Sequence, residues 1–321
     1  MLIGLLIILP LIASLLVFLT KGKAARNLAL VASVAEFALS LFVYFQFKNN
    51  PASHDLSLNC TCVESMGIKF AVGLDGIGLL LVLLTTFLVP LIIISSFKNE
   101  YERPNAFYGL ILLMQMALVG VFTANDGFLF YVFWELALIP IYFICLVWGG
   151  ENRGKITLKF FIYTLFGSLF MLIGLIYLYS HTGYGSGIRS WAINDLYTAG
   201  RSLNIDQQSA VFWMIFLAFA IKMPIFPLHT WQPDTYVVAP TQGTMLLSGI
   251  MLKMGTFGVI KWLLPVVPLA LEKWGGTAIL LSSVGIVYAS CIAIAQKDFK
   301  RLIAYSSIAH VGLISAGILS A

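Results

Sequence analysis

Residues 219–255 read FAIKMPIFPLHTWQPDTYVVAPTQGTMLLSGIMLKMG. Lys222 and Lys253 each lie inside an apolar run that otherwise has the composition of a membrane helix, and Pro224, Pro227, Pro233 and Pro240 stand between them. Proline has no N–H, and its ring clashes with the carbonyl one turn back. Pro224 is therefore expected to strip the Ala220 carbonyl of its helical partner, and Pro227 to do the same to Met223. At membrane depth such carbonyls are tolerated only where protein or water satisfies them. A broken helix with a charge beside the break is a transporter feature. An ionised lysine at the centre of a membrane helix costs about 2.5–3.5 kcal/mol. Neutralising it at pH 7 costs about 4.6 kcal/mol, because its free pKa lies roughly 3.4 units higher. The two costs are close, so a small change of surroundings decides whether the lysine holds its proton, which is what a proton relay requires. The competing reading is a lysine that snorkels to the interface.

Working outward, 60% of the 321 residues are hydrophobic and 10% are charged, against about 25% charged in soluble domains. This is the composition of a polytopic membrane protein, all-α in class. Apolar runs near the 20 residues needed to span a bilayer occur at 2–19, 28–47, 72–96, 107–122, 128–148, 156–180, 210–228 (the broken one), 241–264, 277–295 and 302–321, about ten in all. The longer connections are 48–71 and 181–209. The first run has no basic leader or small-residue cleavage site and reads as a retained helix. The net charge of +5 comes from lysines and arginines in short loops, not from basic tracts interleaved with aromatics, so nucleic acid is not the expected partner. Loops on the side reached after the first helix hold Lys21, Lys23, Arg26, Lys98, Arg103, Arg153, Lys155, Lys297, Lys300 and Arg301. The other side holds Lys48, Lys69, Arg189, Arg201 and Lys273. The richer set belongs in the cytoplasm, with the N-terminus outward. Lys159, Lys222, Lys253 and Lys261 fall within spans and are set aside.

Glu135 lies well inside its span, where a carboxylate needs a partner. Lys222 and Lys253 are the candidates, and moving either partner of such a pair would release the lysine proton. A static structural ion pair is the alternative. Glu36 is intramembrane without an obvious partner. His310 lies mid-span, one turn beyond Ser306 and Ser307, and histidine titrates near neutral pH; a histidine satisfied by a neighbouring hydroxyl is the alternative. His229 and Asp234 flank the break without metal-ligand spacing, and the cysteines and histidines make no zinc pattern. Cys145 and Cys291 read as packing residues, while Cys60 and Cys62 lie in a loop. Asp75 and Asp126 are placed as helix caps. Glycine-rich phosphate loops are absent, so no nucleotide, flavin or iron–sulfur cluster is expected in this chain.

The segments NDGFLFYVFWELALIP, LKFFIYTLFGS, FAIKMPIFPLHTWQPDTYVVAPTQGTMLLSGIMLKMGTFGVIK and QKDFKRLIAYSSIAHVG resemble the antiporter-like subunits of proton-pumping NADH–quinone oxidoreductase, respiratory complex I. The wording HTW-x-PD-(x)4-APT followed by SGIMLKMG is similar to the branch that includes mitochondrial chain 4. The likeness covers residues 107–321; the first hundred match only in helix pattern. It implies two inverted five-helix repeats, each with a broken helix forming a half-channel. On this reading 1–105 is an N-terminal three-helix segment, 106–264 the first repeat, and 265–321 the start of a second. The resemblance assigns Glu135 and Lys222 to a proton-input pair, Lys253 to the central relay and His310 to onward transfer. It puts NADH, FMN, iron–sulfur clusters and quinone in partner subunits, and the chain in a bacterial inner membrane among the other membrane subunits of the complex. A subunit of a cation/proton antiporter and a passive scaffold are the competing functions. The sequence ends at Ala321 inside an apolar run, which reads as a truncation that removes the second break, with the expectation that this chain alone carries no proton flux. Gln232, where the family often has leucine, reads as a minor change.

Overall fold

A computed structural model describes residues 2–51, 53–183 and 189–320. In chain order the elements are α1 (Leu2–Leu19), α2 (Lys23–Asn49), β1 (Ser57–Val63), β2 (Ile68–Gly73), α3 (Gly76–Ser95), α4 (Pro104–Thr123), α5 (Gly127–Leu136), α6 (Leu138–Trp148), α7 (Arg153–Ser180), α8 (Ile193–Ser202), α9 (Ile205–Lys222), α10 (Gln232–Val238), α11 (Thr241–Leu246), α12 (Leu252–Gly258), α13 (Pro268–Ile294) and α14 (Phe299–Leu319). Among the described residues nine helical stretches are long and apolar enough to cross a membrane, and they fall on nine of the ten expected runs. The tenth is the broken segment α9–α10. The protein is an integral membrane protein of the expected all-α class.

The chain divides into two compact units. One comprises 1–64, 68–149 and 240–250; the other comprises 65–67, 150–239 and 251–321. In the first unit α1 packs on α4 and α2 on α3. Small hydroxyls tie these helices: Ser14 donates to the Gly109 carbonyl at 2.8 Å, and Ser40 and Thr86 share a 2.7 Å bond. Helix ends are set by acidic caps, as expected. Asp75 Oδ1 accepts from Gly78 N at 2.6 Å. Asp126 Oδ1 accepts from Phe128 N and Leu129 N, each at 3.0 Å, and its Oδ2 accepts from Lys69 N at 3.2 Å. Burial pushes the Asp126 carboxyl up from its usual range; the three backbone N–H groups pull it back only in part.

The connection at 48–71 holds an antiparallel hairpin, β1 with β2, paired from Ser57 opposite Gly73 to Val63 opposite Ile68. As a result the third span begins at Gly76, not at Val72, which belongs to β2. The connection at 181–209 contains α8 and the first turns of α9, where Asn204 and Gln207 form a reciprocal capping box. The eighth span is not one uniform helix. Leu247–Met251 and Val259–Leu263 are π-helical turns on either side of α12. Cys291 is exposed on α13, so it is not the packing residue the sequence suggested, whereas Cys145 is buried.

Candidate functional site

Within the second unit the break lies between α9 and α10, and protein groups serve the last carbonyls of α9 from Phe219 to Ile221. The Phe219 carbonyl keeps its helical donor, Met223 N, at 2.8 Å. Pro224 cannot donate to Ala220, yet that carbonyl is not left open as expected: Ile225 N reaches back five residues to it at 2.9 Å. This takes the N–H that would have served Ile221, and the Trp231 indole Nε1 supplies the replacement at 2.9 Å. The Trp231 ring is fixed by Phe160, with centroids 4.9 Å apart. Lys222 is the last residue of α9, is 3% exposed, and sits one residue from this turn.

Lys253 is half-buried on α12, between the two π-helical turns. π-Turns inside α-helices are frequent at functional sites. Glycines bring α12 against the break. A Cβ on Gly255 would lie 2.4 Å from Met223 Cγ and 3.1 Å from the Phe219 carbonyl oxygen. Met223 is the neighbour of Lys222 and Gly255 is two residues from Lys253, so both lysines belong to the same closely packed pair of elements. His310 is exposed on α14, and its Nδ1 lies 2.7 Å from the Ser306 carbonyl. A carbonyl only accepts, so Nδ1 carries the hydrogen and Nε2 holds the open lone pair of the neutral ring. Glu135 is partly buried near the end of α5 in the first unit. The structure thus brings Lys222 and Lys253 onto facing elements, carries His310 on a third element of the same unit, and places Glu135 in the other unit. Glu36 is fully buried on α2, and neither carboxyl oxygen has a hydrogen-bond partner among the described residues.

The sequence reading missed what holds α10. Asp234 pairs with Lys159 of α7 at 3.3 Å and with Arg301 of α14 at 3.4 Å. Lys159 also donates to the Thr230 carbonyl at 2.8 Å. Lys300 donates to the carbonyls of Val237 at 3.4 Å and Ala239 at 2.9 Å, at the C-terminus of α10 where a cation complements the helix dipole. Lys159 was the available signal, since a lysine in an apolar run needs a partner, but Asp234 stands 75 residues away in the chain. Gln232 is fully buried and donates to Ser307 Oγ at 2.7 Å, so it is more than a minor change. Among the described residues no three His, Cys, Asp or Glu side chains come together as a metal site.

Comparison with known proteins agrees with this architecture. Residues 124–321 match the family described as NADH:quinone oxidoreductase/Mrp antiporter, TM, and residues 1–122 match NADH-ubiquinone oxidoreductase chain 4, amino terminus. The chain is 40% identical to NADH-quinone oxidoreductase subunit M of Rickettsia typhi, over 98% of its own length and 64% of that protein's. It is 39% identical to F(420)H(2) dehydrogenase subunit M of Methanosarcina mazei, over 99% of this chain and 65% of that one. Its fold overlays a chain of respiratory complex I from Thermus thermophilus with a TM-score of 0.88 at 31% identity, covering 100% of this chain and 65% of that one. The chain therefore spans just under two thirds of the length of the relatives it matches.

Proposed function

Since this chain belongs to the family of membrane subunits shared by NADH:quinone oxidoreductase and the Mrp antiporter, we propose that it is a proton-translocating membrane subunit of an NADH–quinone oxidoreductase with no redox centre of its own. Its partners are then the other membrane subunits of a bacterial inner-membrane complex, which hold the flavin, the iron–sulfur clusters and the quinone site. Its N-terminus faces outward.

The observation that carries this reading is a buried lysine at a helix break where the Ala220 and Ile221 carbonyls already have donors. The Ala220 and Ile221 carbonyls are served by Ile225 and Trp231, so Lys222 is not needed to cap the break. A 3% exposed ammonium is costly to keep and somewhat more costly to neutralise. Its protonation is therefore set by what approaches it. In this scheme a negative charge, the role the family resemblance assigns to Glu135, holds the Lys222 proton on entry. Withdrawal of that negative charge lowers the lysine's affinity for its proton. Lys253, on the element packed against Met223, receives it, and Nε2 of His310 passes it on. A carboxamide at position 135 keeps the shape of the acid and removes its charge. Glu135→Gln, assembled with its partner subunits, is expected to pump far fewer protons at unchanged complex content. Unchanged pumping removes Glu135 from the path.

A cation/proton antiporter subunit is the second reading, favoured by the breadth of the matching family. The subunits that co-purify with the chain separate the two.

A further inference from the structure

Gln232 opens α10 and is fully buried, in the unit that also carries Lys222, Lys253 and His310. Its Nε2 donates to Ser307 Oγ at 2.7 Å, and Ser307 in turn donates to the Ala304 carbonyl at 2.8 Å. The buried Tyr236 hydroxyl, one turn along α10, faces both Gln232 and Ser307. The remaining polar atom of the amide, Oε1, is buried and has no hydrogen-bond partner among the described residues. Ser307 lies three residues before His310 on α14, a spacing that puts the two on neighbouring positions of one helix face.

This amide is not needed to fasten α10 to α14. Asp234 with Arg301, and Lys300 with the Val237 and Ala239 carbonyls, already do so. Ser307 would keep its own acceptor if Gln232 were apolar. A buried amide with an unused carbonyl oxygen is destabilising, and an apolar side chain of the same size is neutral or better. A group that costs stability and is redundant as a tie is explained by what it does.

Resting on the relay reading above, we propose that Gln232 is the positioning residue of a polar crossing, Tyr236–Gln232–Ser307, by which protons pass from the broken helix to the helix carrying His310. The amide is not itself protonated. Its Nε2 fixes the Ser307 hydroxyl, and its Oε1 orients a hydrated proton on the way to His310 Nε2. Each hop breaks one O–H bond and forms another, the last forming N–H at His310 Nε2, and no bond between heavy atoms changes.

The test compares Gln232→Leu, Gln232→Glu and Lys222→Ala in the assembled complex, reading proton pumping, its pH profile and thermal stability. Gln232→Leu is expected to keep or gain stability while pumping falls at least fivefold. Gln232→Glu, which retains an acceptor at Oε1, is expected to recover pumping and to shift the pH profile away from the parent's. Wild-type pumping by Gln232→Leu beside a defective Lys222→Ala overturns the crossing and leaves the relay standing. Loss of stability in Gln232→Leu, with pumping reduced equally at every pH and no recovery in Gln232→Glu, shows a structural tie and also overturns it. Normal pumping by Lys222→Ala refutes the relay itself, and the crossing with it.

Discussion

Replacing Trp231 with phenylalanine tests the accounting at the break. The ring would still lie on Phe160, but the Ile221 carbonyl would lose its Nε1 donor, in a residue only 3% exposed. A buried acceptor left without its partner costs about 1–3 kcal/mol. The smaller ring buries roughly 40 Å² less apolar surface, about 1 kcal/mol more at ~25 cal/mol per Å². The expected destabilisation is therefore about 2–4 kcal/mol. The decisive step is a second substitution. Pro224→Ala restores an N–H at position 224, which can serve the Ala220 carbonyl and release Ile225 N for Ile221. In that background the indole becomes redundant, and Trp231→Phe should cost about 1–3 kcal/mol less than it does alone. Equilibrium unfolding of the four purified proteins in mixed detergent micelles, read by tryptophan-independent far-ultraviolet dichroism, measures this coupling. Costs that add within about 0.5 kcal/mol, the usual limit for independent sites, would refute the claim that Ile225 and Trp231 share the two carbonyls.

Asp126→Ala removes one acceptor serving Phe128 N, Leu129 N and Lys69 N. It is expected to cost about 1–2 kcal/mol and to speed amide hydrogen exchange at Lys69 and the start of α5 together; exchange confined to α5 would separate the hairpin from the cap. A single cysteine at position 153 should be labelled by an impermeant thiol reagent only from the cytoplasmic side, given the ten-to-five bias of loop lysines and arginines; strong labelling from outside reverses the orientation.

The spans were legible because nine runs of nearly unbroken apolar residues have few other uses, and Asp75 and Asp126 announced the helix starts they cap. The break was legible from Pro224 and Pro227. Its repair was not, because the donors to Ala220 and Ile221 depend on how the chain turns back after Pro227. The hairpin was hidden because β1 is exposed along nearly all its length and so lacks the alternation that marks a half-buried strand. Helix α8 was readable in principle: Ile193, Leu196, Ala199 and Gly200 are its buried residues, and their spacing follows one helical face. The π-turns flanking Lys253 carry no composition signal. Glu135, Lys222, Lys253 and His310 stood out as candidates because each is an ionisable group inside an apolar run. Lys159 has the same property, but its service as an ion-pair partner of Asp234 follows from the packing of α7 near α10 and not from any local pattern.

The central claim is that Lys222 gives up and regains a proton during turnover. The most direct measurement replaces it with arginine, which keeps the charge and hardly deprotonates, and with alanine, and then counts protons pumped per electron pair in vesicles holding the assembled complex. The account predicts that both variants pump far fewer protons than the parent at equal complex content, with arginine giving no full rescue. Parental pumping by Lys222→Arg would contradict it, since a fixed positive charge would then do all that the lysine does.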